Sequence, residues 1–138
     1  MDARERVRLP LLLLRLSVFL VMSMWTLDKI VNPQHAAGVF ANFYGLEGLG
    51  ATALRALAVA ELALLAAFVM GFAKRWSYGL VLILHGISTL SSYAQYLDPF
   101  ANLLFFAAWP MLAACFALYW LRDLDTLAAL ETPRPPGT

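Results

Sequence analysis

Residues 52–72 read TALRALAVAELALLAAFVMGF, a long apolar run that contains only two charged side chains, Arg55 and Glu61. An α-helix rises 1.5 Å per residue, so about 20 residues are enough to cross the roughly 30 Å hydrocarbon core of a bilayer. A run of this length and composition is typical of a transmembrane helix. It therefore predicts a span at about 52–72.

Three further apolar runs predict spans at about residues 9–31, 76–94 and 101–121. The whole chain of 138 residues is 62% hydrophobic and 14% charged, with a mean hydropathy of +0.71. Soluble domains carry about 25% charged residues, so the composition agrees with the runs. We expect an all-α fold, with residues 1–125 forming one four-helix transmembrane bundle and residues 126–138 a disordered tail.

The distribution of cations predicts the orientation. In a four-span chain most of them fall on one side: Arg4, Arg6, Arg8, Lys74, Arg75, Arg122 and Arg134. The positive-inside rule then places both termini in the cytoplasm and the long first loop outside. We expect a multi-pass protein of a bacterial-type cytoplasmic (inner) membrane. The net charge of +1 argues against a nucleic-acid partner, because phosphate binding needs clustered basic groups.

Ionisable side chains inside the predicted spans are candidates for function. A charge at the bilayer centre costs about 2.5–3.5 kcal/mol on insertion scales. Glu61 lies at the midpoint of the second span and His85 at the midpoint of the third. Because a tight turn joins these two spans, we expect the two residues at similar depth and within reach of each other. Arg15 lies nearer the cytoplasmic end of the first span, where it can snorkel outward or turn toward Glu61.

A polar stripe runs along the predicted third span. Its members, spaced as one face of a helix, are Tyr78, His85, Ser88, Ser92 and Gln95. Such a face is unsuited to lipid, so we expect it to bond to other helices or to open onto a cavity. By the same spacing, one face of the first span carries Arg15, Met22, Thr26 and Lys29. The candidate ligand-binding residues are therefore Glu61, His85, Arg15, Ser88, Ser92 and Gln95.

Three interpretations of these residues remain open. Arg15, Glu61 and His85 can form a neutralised network that only fixes helix register. Alternatively, Glu61 and His85 border a small-molecule or proton-handling site. Metal or haem binding is the third, but a single intramembrane histidine lacks the second ligand of a bis-His haem, and we assign no metal site. No flavin or nucleotide motif and no activated nucleophile is present, so no catalytic residue is assigned and enzyme activity stays open.

Short motifs follow one another in order across about residues 13–125. They are Leu14-Arg15-Leu16, Asp28-Lys29-Ile30, Gly45-Leu46, Glu61-Leu62, Gly71 followed by Lys74-Arg75, and the closing Leu124-Asp125. In order and spacing they resemble the DoxX family of small four-span membrane proteins. Two departures are Trp25, where the family commonly has His-Gly, and the segment before Asp125, which lacks the usual Gly-Pro-Gly.

The resemblance implies a four-helix membrane bundle associated with quinone-linked respiration or oxidative-stress complexes. On this basis we expect an accessory subunit that binds a lipophilic molecule such as a quinone, with Glu61 and His85 bonding its polar head and Arg15 tuning the carboxylate. The alternative is a non-catalytic scaffold or assembly protein; transport by an oligomer is a third. Expected partners are the lipid bilayer, other membrane or respiratory subunits, and further copies of the chain.

Overall fold

The computed structural model describes residues 1–133, and these are predominantly helical. The α-helices are α1 (Ala3–Val31), α2 (Pro33–Tyr44), α3 (Ala51–Val69), α4 (Lys74–Ser91), α5 (Tyr93–Tyr96) and α6 (Ala108–Trp120). Short 3-10 helices cover Pro99–Ala101, Leu103–Ala107 and Arg122–Leu124. The expectation of an all-α fold is confirmed. Residues 134–138, the end of the predicted disordered tail, lie outside the described residues.

Local sequence explains where the first two helices begin and end. The Asp2 side chain accepts a 2.9 Å hydrogen bond from the Glu5 amide and so caps α1. α1 ends at Val31, directly before Asn32, because Pro33 disfavours a helical conformation in the residue before it, while its own ring suits the first turn of α2. α2 ends at Tyr44, and the next residue, Gly45, has a φ of +67°, the left-handed conformation common after a helix. Much of the long first loop is therefore a helix.

The four long helical segments form a closed ring. α1 packs against α3 and α6, and α4 packs against the same two helices. The short α2 lies against α1, α3 and α4 at one end of this ring. The buried hydrophobic core lies at the opposite end and comprises Leu11, Val18, Leu65, Phe68, Tyr78, Val81, Cys115 and Leu118. The bundle is thus well packed at the end where α1 begins.

Three helical segments of the described chain are long and apolar enough to cross a membrane: Ala3–Val31, Ala51–Val69 and Leu103–Trp120. Large apolar side chains such as Leu13, Leu20 and Ile83 point outward, being 56%, 62% and 56% exposed. This arrangement suits a lipid environment and indicates a membrane protein. The predicted third span corresponds to α4, which carries the polar stripe. That α4 also crosses the membrane stays a prediction.

The chain returns to the bundle after its last helix. The Leu130 amide donates a 2.8 Å hydrogen bond to the Met70 carbonyl, and the Glu131 amide donates a 2.9 Å bond to that of Gly71. Gly71 has a φ of +61°, and a Cβ atom placed on it would come within 2.6 Å of the Ala129 Cβ. Residues 129–131, which the sequence assigned to the tail, therefore lie closely against the turn between α3 and α4.

Candidate functional site

A partly open cavity of about 900 Å³ begins at the α2 end of the bundle and extends along α1 to Leu14. Its walls come from α1, α2, α4 and the segment 104–114. The aromatic residues in its lining are Trp25, Phe40, Phe43, Tyr44 and Phe105. Three of its polar groups are His85 and Ser88 of α4 and Ser92, the residue directly after α4. A largely apolar wall with a few polar groups is the usual make-up of a small-molecule site.

His85 is the most deeply buried polar side chain of this cavity, with 1% of its surface exposed. Its Nε2 lies 3.1 Å from the carbonyl oxygen of Ala108 and 3.3 Å from the hydroxyl oxygen of Thr89. The Thr89 hydroxyl donates a 2.8 Å hydrogen bond to the His85 carbonyl. The other ring nitrogen, Nδ1, is buried and has no hydrogen-bond partner within residues 1–133. His85 thus has one ring nitrogen with hydrogen-bond partners and one without.

A second cavity of about 320 Å³ adjoins the first and contains Glu61. Oε2 of Glu61 accepts hydrogen bonds from Lys29 Nζ at 2.9 Å and from the Thr26 hydroxyl at 3.0 Å. The side chains of Lys29 and Glu61 are only 12% and 19% exposed, so this ion pair is largely shielded. His85 and Ser88 line this cavity as well as the larger one. Glu61 and His85 therefore border one space, as their depth suggested.

Two polar residues lie at the junction of α1 and α2, where the larger cavity meets the surface. His35 Nδ1 and Asp28 Oδ2 are 2.6 Å apart, and the two side chains are 61% and 34% exposed. Both residues contribute to the cavity lining. The cavity thus extends from an exposed polar pair to the buried imidazole of His85.

Arg15 does not approach Glu61; it lies at the opposite end of the bundle and is completely buried. Its Nη1 donates a 3.2 Å hydrogen bond to the Tyr78 hydroxyl and lies 3.4 Å from Oδ2 of Asp125. Its Nη2 donates to the carbonyl oxygens of Leu127 and Ala128. The expected contact between Arg15 and Glu61 is wrong. Glu61 is paired with Lys29, and Arg15 is paired with the buried carboxylate of Asp125.

Lys74 completes this second polar cluster. Its Nζ donates hydrogen bonds to the carbonyl oxygens of Asp125 at 2.6 Å and Arg122 at 3.0 Å. Burial lowers the pKa of this lysine, which precedes the predicted third span, and the nearby carboxylates of Asp125 and Glu131 oppose that shift. We refer to Arg15, Lys74, Tyr78 and Asp125 as the C-terminal clamp, because these four side chains fix the chain's return to the bundle.

The predicted site residues are therefore divided among several places. His85, Ser88 and Ser92 line the larger cavity, whereas Gln95 lines neither cavity. Sequence reasoning missed the role of Lys29 as the partner of Glu61, although the helical spacing of Thr26 and Lys29 had placed both on one face of α1. It also missed the pairing of Asp125 with Arg15. No local signal marks that pairing, since 110 positions separate the two residues in the numbering.

Comparisons with known proteins found no match to this chain among family models, curated proteins or solved structures.

Proposed function

We propose that this chain is a DoxX-like integral membrane protein that crosses a bacterial-type cytoplasmic membrane four times, with both termini inside. Three crossings are supported by the apolar segments of α1, α3 and α6. The fourth is assigned to α4, because it follows α3 after a short turn and packs against both α3 and α6. The orientation is supported by the cations near the two termini and at the α3–α4 turn.

Within this bundle, the function that the geometry supports best is the binding of a lipophilic small molecule with a polar head, such as a quinone. The observation that carries it is the cavity of about 900 Å³, which is lined by aromatic and aliphatic side chains and reaches the buried His85. Small-molecule sites are commonly about 300–1,000 Å³ and have this composition. A partly open cavity inside a membrane protein is accessible to a lipid-soluble ligand.

Different side chains contact different parts of the proposed ligand. Trp25 and Phe43 offer aromatic contact to a ring, and His85 and Ser88 offer hydrogen bonds to its polar substituent. Glu61 faces the adjoining smaller cavity and is paired with Lys29, so its influence on the ligand is weaker than that of His85. Since the sequence has no redox motif of its own, the chain acts as an accessory subunit of a quinone-linked redox or oxidative-stress complex.

The second candidate is a scaffold or assembly protein whose polar groups only fix helix packing. The C-terminal clamp favours it, since Arg15, Tyr78 and Asp125 are completely buried and bonded to one another, with Lys74 held by backbone carbonyls. In this alternative the cavity at the α2 end is filled by lipid chains or by a partner subunit. None of the four clamp side chains lines the cavity, so variants can test each separately.

Binding of duroquinone and duroquinol to the protein in mild detergent distinguishes the two candidates. His85→Ala is compared with Ile83→Ala, which truncates an outward-facing side chain of the same helix. We expect His85→Ala to lower the affinity for at least one redox form about tenfold per folded molecule, and Ile83→Ala to leave both affinities unchanged. If His85→Ala reduces only the amount of folded protein, with affinity unchanged, the scaffold alternative is favoured.

Glu61→Gln provides a second comparison, with Glu47→Gln in the exposed loop as its control. We expect Glu61→Gln to weaken binding less than His85→Ala does, because the carboxylate faces the neighbouring cavity. An effect of Glu61→Gln larger than that of His85→Ala would contradict this assignment of roles.

A further inference from the structure

The surroundings of His85 determine which ring nitrogen carries a proton. The Ala108 carbonyl oxygen, 3.1 Å from Nε2, can only accept a hydrogen bond. The single proton of the Thr89 hydroxyl is donated to the His85 carbonyl, so the Thr89 oxygen presents lone pairs toward Nε2. Both neighbours of Nε2 are therefore acceptors. It follows that Nε2 is protonated and donates.

The second ring nitrogen then follows from the charge of the imidazole. Within residues 1–133 no acidic side chain forms an ion pair with His85, since Glu61 is held by Lys29 and Asp28 by His35. An apolar site without a counter-ion favours the uncharged ring. In an uncharged imidazole one nitrogen donates and the other accepts. Nδ1 of His85 is accordingly a hydrogen-bond acceptor, and it is buried without a partner.

We propose that the His85 cavity selects a ligand that donates a hydroxyl hydrogen bond to Nδ1, and so prefers a hydroquinone or similar phenol to the corresponding oxidised quinone. This inference rests on the proposed function and names the redox form that the site holds. A quinone carbonyl oxygen can only accept, so it leaves the buried Nδ1 unpaired. A buried polar group without a partner is the main source of discrimination between such ligands.

The serine residues of the cavity do not provide this discrimination. The hydroxyl groups of Ser88 and Ser92 can each donate or accept, so they can bond to either redox form of a ring oxygen. The Ser92 hydroxyl lies 3.3 Å from the Ser88 carbonyl, a long contact that a ligand can replace. His85 is thus the residue that distinguishes hydroxyl from carbonyl.

Three compounds of nearly the same shape test the proposal: duroquinol, duroquinone and the dimethyl ether of duroquinol. The first can donate, and the other two only accept. Their dissociation constants are measured under argon with the wild-type chain, with His85→Phe, and with Ile83→Ala as the control. We expect the wild-type chain and Ile83→Ala to bind duroquinol at least about tenfold more tightly than either other compound. In His85→Phe the three affinities should lie within about threefold.

The outcomes separate this inference from the proposed function. If duroquinone binds as tightly as duroquinol and still requires His85, the hydroxyl preference is wrong and the proposed function stands. If a preference for duroquinol persists unchanged in His85→Phe, the role of Nδ1 is also wrong. If no compound binds in a His85-dependent manner, both proposals fail. The comparison of the three compounds on the wild-type chain decides the preference even where His85→Phe folds poorly.

Discussion

The hydroxyl of Tyr78 in α4 donates a 2.6 Å hydrogen bond to Oδ2 of Asp125, which follows the last 3-10 helix. Arg15 of α1 approaches the same carboxylate oxygen to 3.4 Å. All three side chains are buried. One carboxylate therefore joins α1, α4 and the C-terminal segment. Since none of these three side chains lines the cavity, removal of the carboxylate should affect stability more than it affects ligand binding.

Replacement of Asp125 should be strongly destabilising. Asp125→Ala leaves the Arg15 guanidinium buried without its counter-ion, which typically lowers the free energy of unfolding by about 3–5 kcal/mol. Tyr78→Phe removes only a hydroxyl and should cost about 1–3 kcal/mol. Asp123→Ala, at an exposed position two residues away, serves as the control. Chemical unfolding in detergent measures all three, and an Asp125→Ala effect no larger than the control would contradict the clamp.

Gly71 is predicted to tolerate no side chain, because of both its backbone and its neighbours. Gly71→Ala forces an L-residue to a φ of +61° and brings its Cβ within 2.6 Å of the Ala129 Cβ. We expect the free energy of unfolding to fall by about 1–3 kcal/mol. Gly86→Ala in α4 is the matched control, since its nearest neighbour, Leu112 Cδ1, is 3.8 Å away. Thermal unfolding should show a lower midpoint for Gly71→Ala only.

Partial rescue identifies the cause of the Gly71→Ala defect. Adding Ala129→Gly removes the nearest contacting atom and should restore part of the lost stability. If Ala129→Gly restores none of it, the Ala129 methyl group does not contribute to the defect, which then comes from the left-handed backbone and from the remaining contacts with Arg15 Nη1 at 2.8 Å and Ala129 Cα at 2.9 Å.

The ion pair between Lys29 and Glu61 should behave as a coupled unit. Lys29→Met leaves a shielded carboxylate without its counter-ion, and Glu61→Gln does the same to the shielded ammonium. The double variant should therefore lose less stability than the sum of the two single losses. A double-mutant cycle on the free energy of unfolding should give a coupling of about 1–3 kcal/mol. Additive effects would show that the 2.9 Å contact contributes nothing to stability.

Filling the larger cavity should block binding without unfolding the chain. Val39 of α2 lines this cavity, and Val39→Trp extends a bulky ring into it. We expect the affinity for duroquinol to fall about tenfold or more, with the unfolding midpoint changed by only a few degrees. Gln34→Trp places the same ring on the exposed side of α2 and should bind normally. Equal affinities of the two variants would place the ligand elsewhere.

Helical periodicity alone was enough to predict much of this arrangement. The apolar runs predicted α1, α3 and α6, and the spacing of His85 and Ser88 placed both on one face of α4. Ser92, the residue directly after α4, also lines the cavity. Gln95 does not line either cavity. It belongs to a separate short helix that begins at Tyr93, after the end of α4 at Ser91. Regular spacing predicts a shared face only as long as the helix continues.

The partners of the buried charges could not be predicted in the same way. The sequence offered Arg15 and Glu61 as the charges of greatest interest, and pairing them was the simplest solution. The actual pairs depend on the packing of α1 against α3, which brings Lys29 to Glu61, and on the return of the chain after α6, which brings Asp125 to Arg15. Both depend on tertiary contacts to distant segments rather than on local pattern, as with Leu130 and Met70.

Nitrogen NMR of the chain labelled with ¹⁵N-histidine tests most directly the claim that His85 Nδ1 receives the ligand. The chain has two histidines, so His35→Gln assigns the signals of His85. We predict a protonated Nε2 and an unprotonated Nδ1 in the free protein, and a saturable shift of the Nδ1 signal on addition of duroquinol but not of its dimethyl ether. A proton on Nδ1, or no change in the His85 signals at saturating duroquinol, would contradict the account.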